Sequence, residues 1–385
     1  MVREVDRILT THAGSLARPP RLLELLAARA QGRPYDAEEF DRALQQSVRE
    51  VVQRQVQAGI DIVSDGEQSK AGFFSYVQDR LQGLEPAGED PGNWRRPWAS
   101  EVAAFPRYYE RYFELNMRGV GPMAFVCTGP IRYTGYDLLR RDIENLQAAM
   151  KAAGATEAFL PSTAPRVLGP NRYYPDEEAY LEALAEALRE EYRLIIDAGL
   201  TLQIDDPGLT DILGPDLFED PKERRRRAER HVEVVNHALR GLPPERIRFH
   251  TCYGINQGPR IHEATMAEVA EHMLKVRAGA YSFEAINGRH QHEWRVWQRL
   301  KPSQEVVLIP GLISHTTNVV EHPALIADLL VIYAGLVGRD RVIAGSECGF
   351  SSQATSTPEI DPEVVWAKFQ ALAEGARRAS SQLWP

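Results

Sequence analysis

The chain has 385 residues, of which 43% are hydrophobic and 26% charged, a composition typical of a folded protein longer than a usual single domain. Its formal net charge of -9 argues against a nucleic-acid partner, because binding to a phosphate backbone needs a basic surface. No apolar run approaches the roughly 20 residues of a membrane helix, and the first residues are charged rather than apolar. We therefore expect a cytoplasmic protein that binds neither nucleic acid nor membranes.

Short apolar segments rich in β-branched residues alternate with helical patterns along the chain. The predicted strands are 8–15, 60–67, 157–163, 201–208, 246–252, 280–286, 306–313 and 341–348. Helical patterns lie between them, at 36–58, 137–152, 176–198, 219–240, 264–275, 321–337 and 362–376. Eight strand and helix pairs without a repeat or a dividing linker predict one closed (β/α)8 barrel, the TIM-barrel fold, over residues 1–385.

Residues 68–135 are too many for one connection between a strand and its helix, so we expect a functional insertion after the second strand. Its segment VGPMAFVCTGPI, residues 120–131, could form a hairpin arm. Its many aromatic side chains predict a packed lid. They are Trp94, Trp98, Tyr108, Tyr109, Tyr112 and Phe113.

Polar side chains stand at nearly every predicted strand end, where this fold builds its active sites. They are Ser15, Asp65, Glu67, Ser162, Thr163, Asp205, Asp206, His250, Cys252, Glu284, Ser314, His315, Glu347 and Cys348. Mid-strand side chains are expected to fill the core instead. The strand ends therefore predict an active site at one mouth of the barrel.

His250 and Cys252 are two residues apart on one strand, so their side chains point the same way. Glu284 ends the next strand and Cys348 ends the last one. One imidazole, two thiols and a carboxylate match tetrahedral zinc better than magnesium or calcium, which prefer oxygen ligands. From spacing alone a second interpretation stays open, in which the two cysteines are small buried fillers.

The ordered motifs resemble those of the cobalamin-independent methionine synthase family, specifically its C-terminal catalytic barrel, from about residue 8 to residue 350. The resemblance is carried by TTHAGSL (10–16), SDGE (64–67), QIDDPGL (203–209), HTC (250–252), FEA (283–285) and GSECGF (345–350). It implies a methionine biosynthesis enzyme, similar to the 5-methyltetrahydropteroyltriglutamate-homocysteine methyltransferases, in which a zinc-bound thiolate accepts a methyl group.

Residue by residue, the resemblance implies a Zn²⁺ site and a small-molecule thiol substrate such as homocysteine. The implied zinc ligands are His250, Cys252, Cys348 and a displaceable Glu284. The implied substrate contacts are Glu67 and Asp205 to the ammonium, and Gly14 and Ser15 to the carboxylate. For Glu67 and Asp205 the alternative role is helix capping or a salt bridge at the barrel mouth.

Three departures from the family pattern limit the roles that the resemblance can transfer, and the first of them leaves the methyl donor open. A chain of 385 residues has no room for the duplicated N-terminal barrel of the long members, and the insertion 86–118 has no counterpart. His315, the candidate general acid, lies one position earlier than in the family pattern, so it is either a proton donor or a hydrogen-bonding residue at the rim. The donor is 5-methyltetrahydrofolate or a methyl-corrinoid, the latter carried by a corrinoid protein.

Other functions compete with methyl transfer to homocysteine. Epoxyalkane-coenzyme M transferases are similar in using a zinc thiolate, but a sulfonate substrate calls for Arg or Lys where this site offers Glu67 and Asp205. Two thiolate ligands argue against a metal-dependent hydrolase, and a displaceable Glu284 argues against a purely structural zinc. The sequence does not identify the donor, the acceptor thiol or the oligomeric state.

Overall fold

A computed structural model gives the structure of most of the chain. It describes residues 6–73, 75–87, 93–116, 125–254, 257–303, 305–354 and 358–385, with the backbone alone for 93–95. Within these ranges, no helix has both the length and the apolar character needed to cross a membrane.

Each of the eight predicted strand segments contains a strand, so this part of the prediction is confirmed. Two further strands, β3 and β4, lie in the insertion. In the described part of the chain the strands are β1 Leu9–Thr10, β2 Ile62–Val63, β3 Leu81–Pro86, β4 Phe125–Tyr133, β5 Glu157–Thr163, β6 Thr201–Asp205, β7 Ile247–His250, β8 Ala280–Glu284, β9 Val307–Gly311 and β10 Ile343–Ala344.

The parallel strands form a curled sheet. Six of them pair in the order β2-β5-β6-β7-β8-β9, and β1 pairs with β10. An isolated bridge between Gly311 and Gly345 joins β9 to the segment that follows β10. On the other side, the backbone N–H of Asp61 donates to the Thr10 carbonyl at 3.2 Å, which links β1 to the start of β2.

Alternating side chains along these strands enter two separate apolar clusters, as the period of two requires. One small cluster is enclosed by the curled sheet; it consists of Ile62, Phe159, Ala280, Val307, Ile309 and Ile343. Intervening residues such as Val63, Leu160 and Phe249 face the other way and join the large cluster shared with the helices. The sheet is therefore buried on both faces, as expected for parallel strands covered by helices.

Helices follow most of the parallel strands. They are α1 Pro20–Ala30, α2 Ala37–Gln57, α3 Ala99–Ala104, α4 Pro106–Asn116, α5 Tyr136–Ala153, α6 Glu177–Asp197, α7 Gly208–Leu213, α8 Pro221–Ala238, α9 Met266–Met273, α10 Trp294–Leu300, α11 Pro323–Val337 and α12 Pro362–Leu383. Aspartate side chains cap the first backbone N–H groups of α2, α6, α8 and α12, which fixes where these helices begin.

The insertion folds back over the carboxyl ends of the strands. Its β3 and β4 form an antiparallel pair, and α3 and α4 pack around Tyr109 and Phe113. The backbone N–H of Ser100 donates to Asp216 at 3.1 Å, in the connection after β6. The Tyr112 hydroxyl donates to Glu359, which follows β10. Residues 120–124 of the predicted arm and the side chain of Trp94 lie outside the described part.

Candidate active site

His250, Cys252 and Cys348 meet at the carboxyl ends of β7 and β10. Their ligand atoms all lie within 4.8 Å of one another, and all three side chains are buried. Cys348 Sγ donates a hydrogen bond to Cys252 Sγ at 3.1 Å. The period of two along β7 and the tight turn after β10 therefore bring three soft donors together, as the sequence predicted.

The chemistry of this donor set fits zinc. Zinc is borderline soft and is commonly held by Cys and His, whereas magnesium and calcium prefer oxygen. The hydrogen bond from Cys348 and the nearby His250 lower the pKa of Cys252, and that hydrogen bond together with burial raises the pKa of Cys348. Cys252 is therefore the first of the pair to ionise.

The ring of His250 is held at both nitrogen atoms. Nδ1 contacts Asp205 Oδ1 at 2.7 Å, and Nε2 contacts the Glu347 carbonyl at 3.1 Å. Burial opposes the charged imidazole, but the hydrogen bond and charge of Asp205 outweigh it and raise the pKa of His250 to about 9. Both nitrogen atoms thus have partners, and Nε2, whose contact is the longer one, is the nitrogen that would exchange its partner for a metal.

A cavity of about 70 Å³ opens onto the three donors. Of the predicted substrate contacts, Ser15, Glu67 and Asp205 line it. The remaining lining residues are Ala13, Phe73, Pro207, His250, Cys252, Gly254, Cys348, Gly349, Ser352 and Gln353. The structure therefore brings most of the predicted metal and substrate residues around one space.

Glu67 is a buried carboxylate in an unusual backbone conformation. Its φ is 56°, in the left-handed region that non-glycine residues rarely adopt. Its Oε2 lies 3.5 Å from Lys70 Nζ, and both side chains are about 5% exposed or less. Gly14, with φ 127°, passes so close that a Cβ there would lie 2.9 Å from Glu67 Oε1. A side chain at position 14 would collide with the carboxylate.

Ser15 is buried beside the turn that carries Cys348. Its Oγ contacts Ser352 Oγ at 3.1 Å and accepts from the Ser351 backbone N–H at 3.3 Å. A Cβ on Gly349 would stand 2.0 Å from this Oγ, so the turn needs glycine there. The predicted carboxylate contact and the predicted metal ligand Cys348 therefore belong to one packed unit.

Glu284 and His315, also predicted site residues, lie in a second buried group with Glu347. Glu284 accepts from the Tyr253 backbone N–H at 2.9 Å and from the Arg260 guanidinium at 2.7 Å. Burial opposes its ionisation, yet Arg260 and His315 hold its pKa below its ordinary value. The structure brings Glu284 next to the first group but binds its carboxylate to Arg260.

His315, a member of this second group, has a completely buried side chain. Its Nε2 donates to the Gly254 carbonyl at 2.7 Å, and its Nδ1 is 3.8 Å from Glu347 Oε2. Burial opposes protonation, but Glu347 and Glu284 outweigh it and raise the pKa of His315. Gly254, which accepts this hydrogen bond, lies next to the insertion, since a Cβ built on it would be 3.5 Å from Trp98 Cζ2.

Several residues of the site were not predicted from the sequence. Lys70 and Arg260 lie in connections, where no periodicity marks them. Gln203 and Arg248 are each two positions before a predicted site residue on their strands, and that spacing is the signal that could have found them.

No family model matches the chain. A methionine synthase of Sulfolobus acidocaldarius is 23% identical over 258 residues, which is 66% of this chain and 64% of that protein. A methionine synthase of Thermococcus kodakarensis is 21% identical over 386 residues, covering 99% of this chain and 96% of that protein. A B12-independent methionine synthase of Shewanella sp. W3-18-1, solved with selenomethionine, superposes with a TM-score of 0.72 at 20% identity, over 98% and 99% of the two chains.

The chain is similar to methionine synthases at 21–23% identity. The Thermococcus match runs over nearly the whole of both chains, so the similarity is not confined to one segment. The family resemblance predicted from the strand-end motifs is therefore confirmed. The match to the Sulfolobus relative spans only 64% of that protein's length.

Proposed function

We propose that the chain is a zinc-dependent methyltransferase that transfers a methyl group to the thiol of homocysteine or a closely related amino-acid thiol. The observation that carries the proposal is the buried group of His250, Cys252 and Cys348 at the wall of a cavity that Glu67 and Asp205 also line. The methionine synthase relatives, and the selenomethionine held by the Shewanella enzyme, support this substrate class.

We infer that the eight parallel strands close a (β/α)8 barrel and that residues 1–385 form one catalytic domain. The isolated bridges beside β10 and the hydrogen bond from Asp61 to Thr10 support closure, because they join the ends of the curled sheet. In such a barrel the active site lies at the carboxyl ends of the strands, the end at which the predicted site residues stand.

His250, Cys252 and Cys348 would hold the zinc ion, with Glu284 as a fourth ligand. When bound there, zinc would lower the pKa of a substrate thiol, so that the thiol reacts as a thiolate at neutral pH. Asp205 keeps the proton of His250 on Nδ1 through the 2.7 Å contact. Outer partners of this kind fix the orientation of a metal-binding imidazole.

The substrate's ammonium group would bind to Glu67 and Asp205, and its carboxylate to Gly14 and Ser15. Both acidic residues line the cavity and are buried, so a cation there would be shielded from water. The backbone of Gly14 and the hydroxyl of Ser15 lie on the same side as Glu67, which suits a molecule that carries both charges. This arrangement favours an amino-acid thiol over a sulfonate thiol.

His315 would act as the proton donor to the leaving group of the methyl donor. Glu347 Oε2 faces its Nδ1 at 3.8 Å, and the raised pKa of His315 favours the protonated imidazole. The insertion, residues 68–135, would serve as a lid that excludes water during transfer. Its contacts with Asp216 and Glu359 support this role, because they attach it across the barrel mouth.

The test is an assay of the purified protein loaded with zinc. We expect methylation of homocysteine with 5-methyltetrahydrofolate, as a monoglutamate or triglutamate, or with methylcobalamin or its carrier protein. A sulfonate thiol such as coenzyme M serves as the competing acceptor, with an epoxide as its alkyl donor. Turnover of the sulfonate thiol alone would replace the proposal with alkyl transfer, and a protein inactive with every pair would refute methyl transfer.

A further inference from the structure

A line of buried polar side chains runs through the interior of the curled sheet below the candidate metal group. Gln203 and Asp205 lie on β6, and Arg248 and His250 lie on β7. The register pairs Gln203 with Arg248 and Asp205 with His250. All four side chains are buried and, by the period of two, point to the same face.

Hydrogen bonds connect the four residues in order. Arg248 Nε donates to Gln203 Oε1 at 2.6 Å. Gln203 Nε2 donates to Asp205 Oδ1 at 2.6 Å and to the Ala13 carbonyl at 2.7 Å. Asp205 Oδ1 also contacts His250 Nδ1 at 2.7 Å. The guanidinium is thus three hydrogen bonds away from His250 Nδ1, on the ring whose Nε2 would bind metal.

The direction of this chain is fixed by chemistry. Arginine has only donors, so the amide oxygen of Gln203 must face Arg248. The amide nitrogen then faces two acceptors, the Ala13 carbonyl and the carboxylate of Asp205. With the amide reversed, an oxygen would oppose both acceptors and a nitrogen would oppose the arginine. Only one orientation satisfies every group, and it leaves Asp205 to accept from His250.

Arg248 also holds the segment that leads to the predicted carboxylate contact. Its Nη1 donates to Thr11 Oγ1 at 2.8 Å and its Nη2 donates to the His12 carbonyl. Its guanidinium lies 3.4 Å from the centre of the Phe159 ring, which restricts its movement. The same arginine therefore reaches the turn at Gly14 and, through Gln203, the imidazole of His250.

We propose that Arg248 is a positioning residue, which through Gln203 and Asp205 keeps the proton of His250 on Nδ1 and presents Nε2 to the metal. The proposal deepens the proposed function and relies on its metal site. Replacing the outer partners of a metal-binding histidine commonly weakens metal binding about 10- to 100-fold. Because Arg248 acts through two other residues, we expect about a 10-fold effect.

The test compares Arg248→Met with Thr11→Val as a matched control. Thr11→Val removes a hydrogen bond to Arg248 but leaves the path through Gln203 intact. We expect Arg248→Met to raise the zinc dissociation constant about 10-fold, and Thr11→Val to leave it within about 2-fold of the parent. The second readout is the hydrogen-exchange rate of the His250 Nδ1–H, measured by NMR in the metal-free protein and assigned with His250→Asn.

Faster exchange of this proton in Arg248→Met, but not in Thr11→Val, would support the relay, because a purely structural loss would affect both variants. If Arg248→Met does not fold, Gln203→Met and Arg248→Lys are measured instead. Gln203→Met removes the amide that links Arg248 to Asp205, and Arg248→Lys replaces the planar guanidinium with a single ammonium. We expect faster exchange in each, and a rate equal to that of the parent would overturn the proposal.

The two readouts separate this inference from the proposed function. A parent protein that binds no zinc, while the His250 proton still depends on Arg248, would refute the zinc enzyme and keep the relay. A parent that binds zinc and methylates homocysteine, while Arg248→Met matches the control in both readouts, would keep the enzyme and overturn the relay.

Discussion

Replacing Glu67 with glutamine tests the proposed substrate site most directly. Glu67 and Lys70 form a buried ion pair at 3.5 Å, with side chains 5% and 3% exposed. Lys70 Nζ also donates to the Pro161 carbonyl at 2.7 Å and lies over the Tyr76 ring. Glu67→Gln keeps the shape of the side chain but removes the charge that would bind a substrate ammonium.

Two effects follow, and their magnitudes differ. A hydrogen bond to a charged group contributes about 1.5 to 3 kcal/mol, so homocysteine should bind roughly 10- to 150-fold more weakly. Breaking a buried ion pair costs about 3 kcal/mol of folding stability. The unfolding entropy of a 385-residue chain is about 0.8 kcal/mol per kelvin, so Tm should fall by about 4 °C.

Calorimetric titration of the zinc-loaded protein with homocysteine measures the first effect, and thermal unfolding measures the second. Lys70→Met is the matched control, because it breaks the same ion pair but keeps the carboxylate of Glu67. We expect the control to lose similar stability and to bind homocysteine within about 3-fold of the parent. The reasoning is wrong if Glu67→Gln binds as tightly as the parent, or if Lys70→Met loses as much affinity.

Three further predictions address the metal, the proton donor and the lid. Cys252→Ser and Cys348→Ser should lose zinc while remaining folded, and the buried Cys127→Ser should keep it; full zinc content in the first two by metal analysis would contradict the site. His315→Asn should lower kcat at least about 100-fold, as for loss of a general acid, with homocysteine affinity unchanged, and a small effect on kcat would leave His315 as a rim residue. Burial raises the pKa of Glu359, which contacts the lid residue Tyr112, to about 7. Between about pH 4.5 and about pH 7 this acid therefore keeps its proton in the folded chain but loses it in the unfolded chain, so the free energy of unfolding should fall as pH rises through this range. Glu359→Gln should therefore raise Tm more at pH 8 than at pH 5. Equal Tm shifts at the two pH values would contradict the raised pKa of Glu359.

The sequence predicted the order of the elements well because strand and helix periodicities differ strongly. β5 occupies the predicted segment 157–163 completely, but β1 and β10 are only two residues long. The remaining residues of those two segments leave the ladder to form the turns that carry Ser15 and Cys348. Hydrophobic periodicity in the sequence marks where a strand begins more clearly than where the chain leaves the strand for a functional turn.

Within the candidate site, the period of two predicted that His250 and Cys252 face the same way, the strand ends marked Glu67 and Asp205, and the family resemblance gave these two acids a substrate role. Sequence patterns could not identify Arg260. This arginine lies 24 positions before Glu284, has no local signal and reaches the carboxylate of Glu284 only through the folded loop. Arg248 was missed for another reason. Mid-strand positions were expected to be apolar, yet this one carries a buried guanidinium whose donors are met by Gln203 and Thr11.

The hydrogen bonds of the four proposed ligands divide them into two kinds. Glu284 accepts from the Tyr253 N–H, from Arg260 and, at 2.8 Å, from Asn287, so its charge is balanced where it stands. Cys348 Sγ donates to Cys252 Sγ at 3.1 Å, so without a cation one thiol of the pair keeps its proton, because two buried thiolates at this distance would repel strongly. Both cysteines can therefore be thiolates together only beside a cation, whereas the charge of Glu284 is already balanced by Arg260. A carboxylate that can leave a metal without stranding a buried charge is the one suited to the open position that catalytic zinc sites keep, which supports exchange of Glu284 for a substrate thiol.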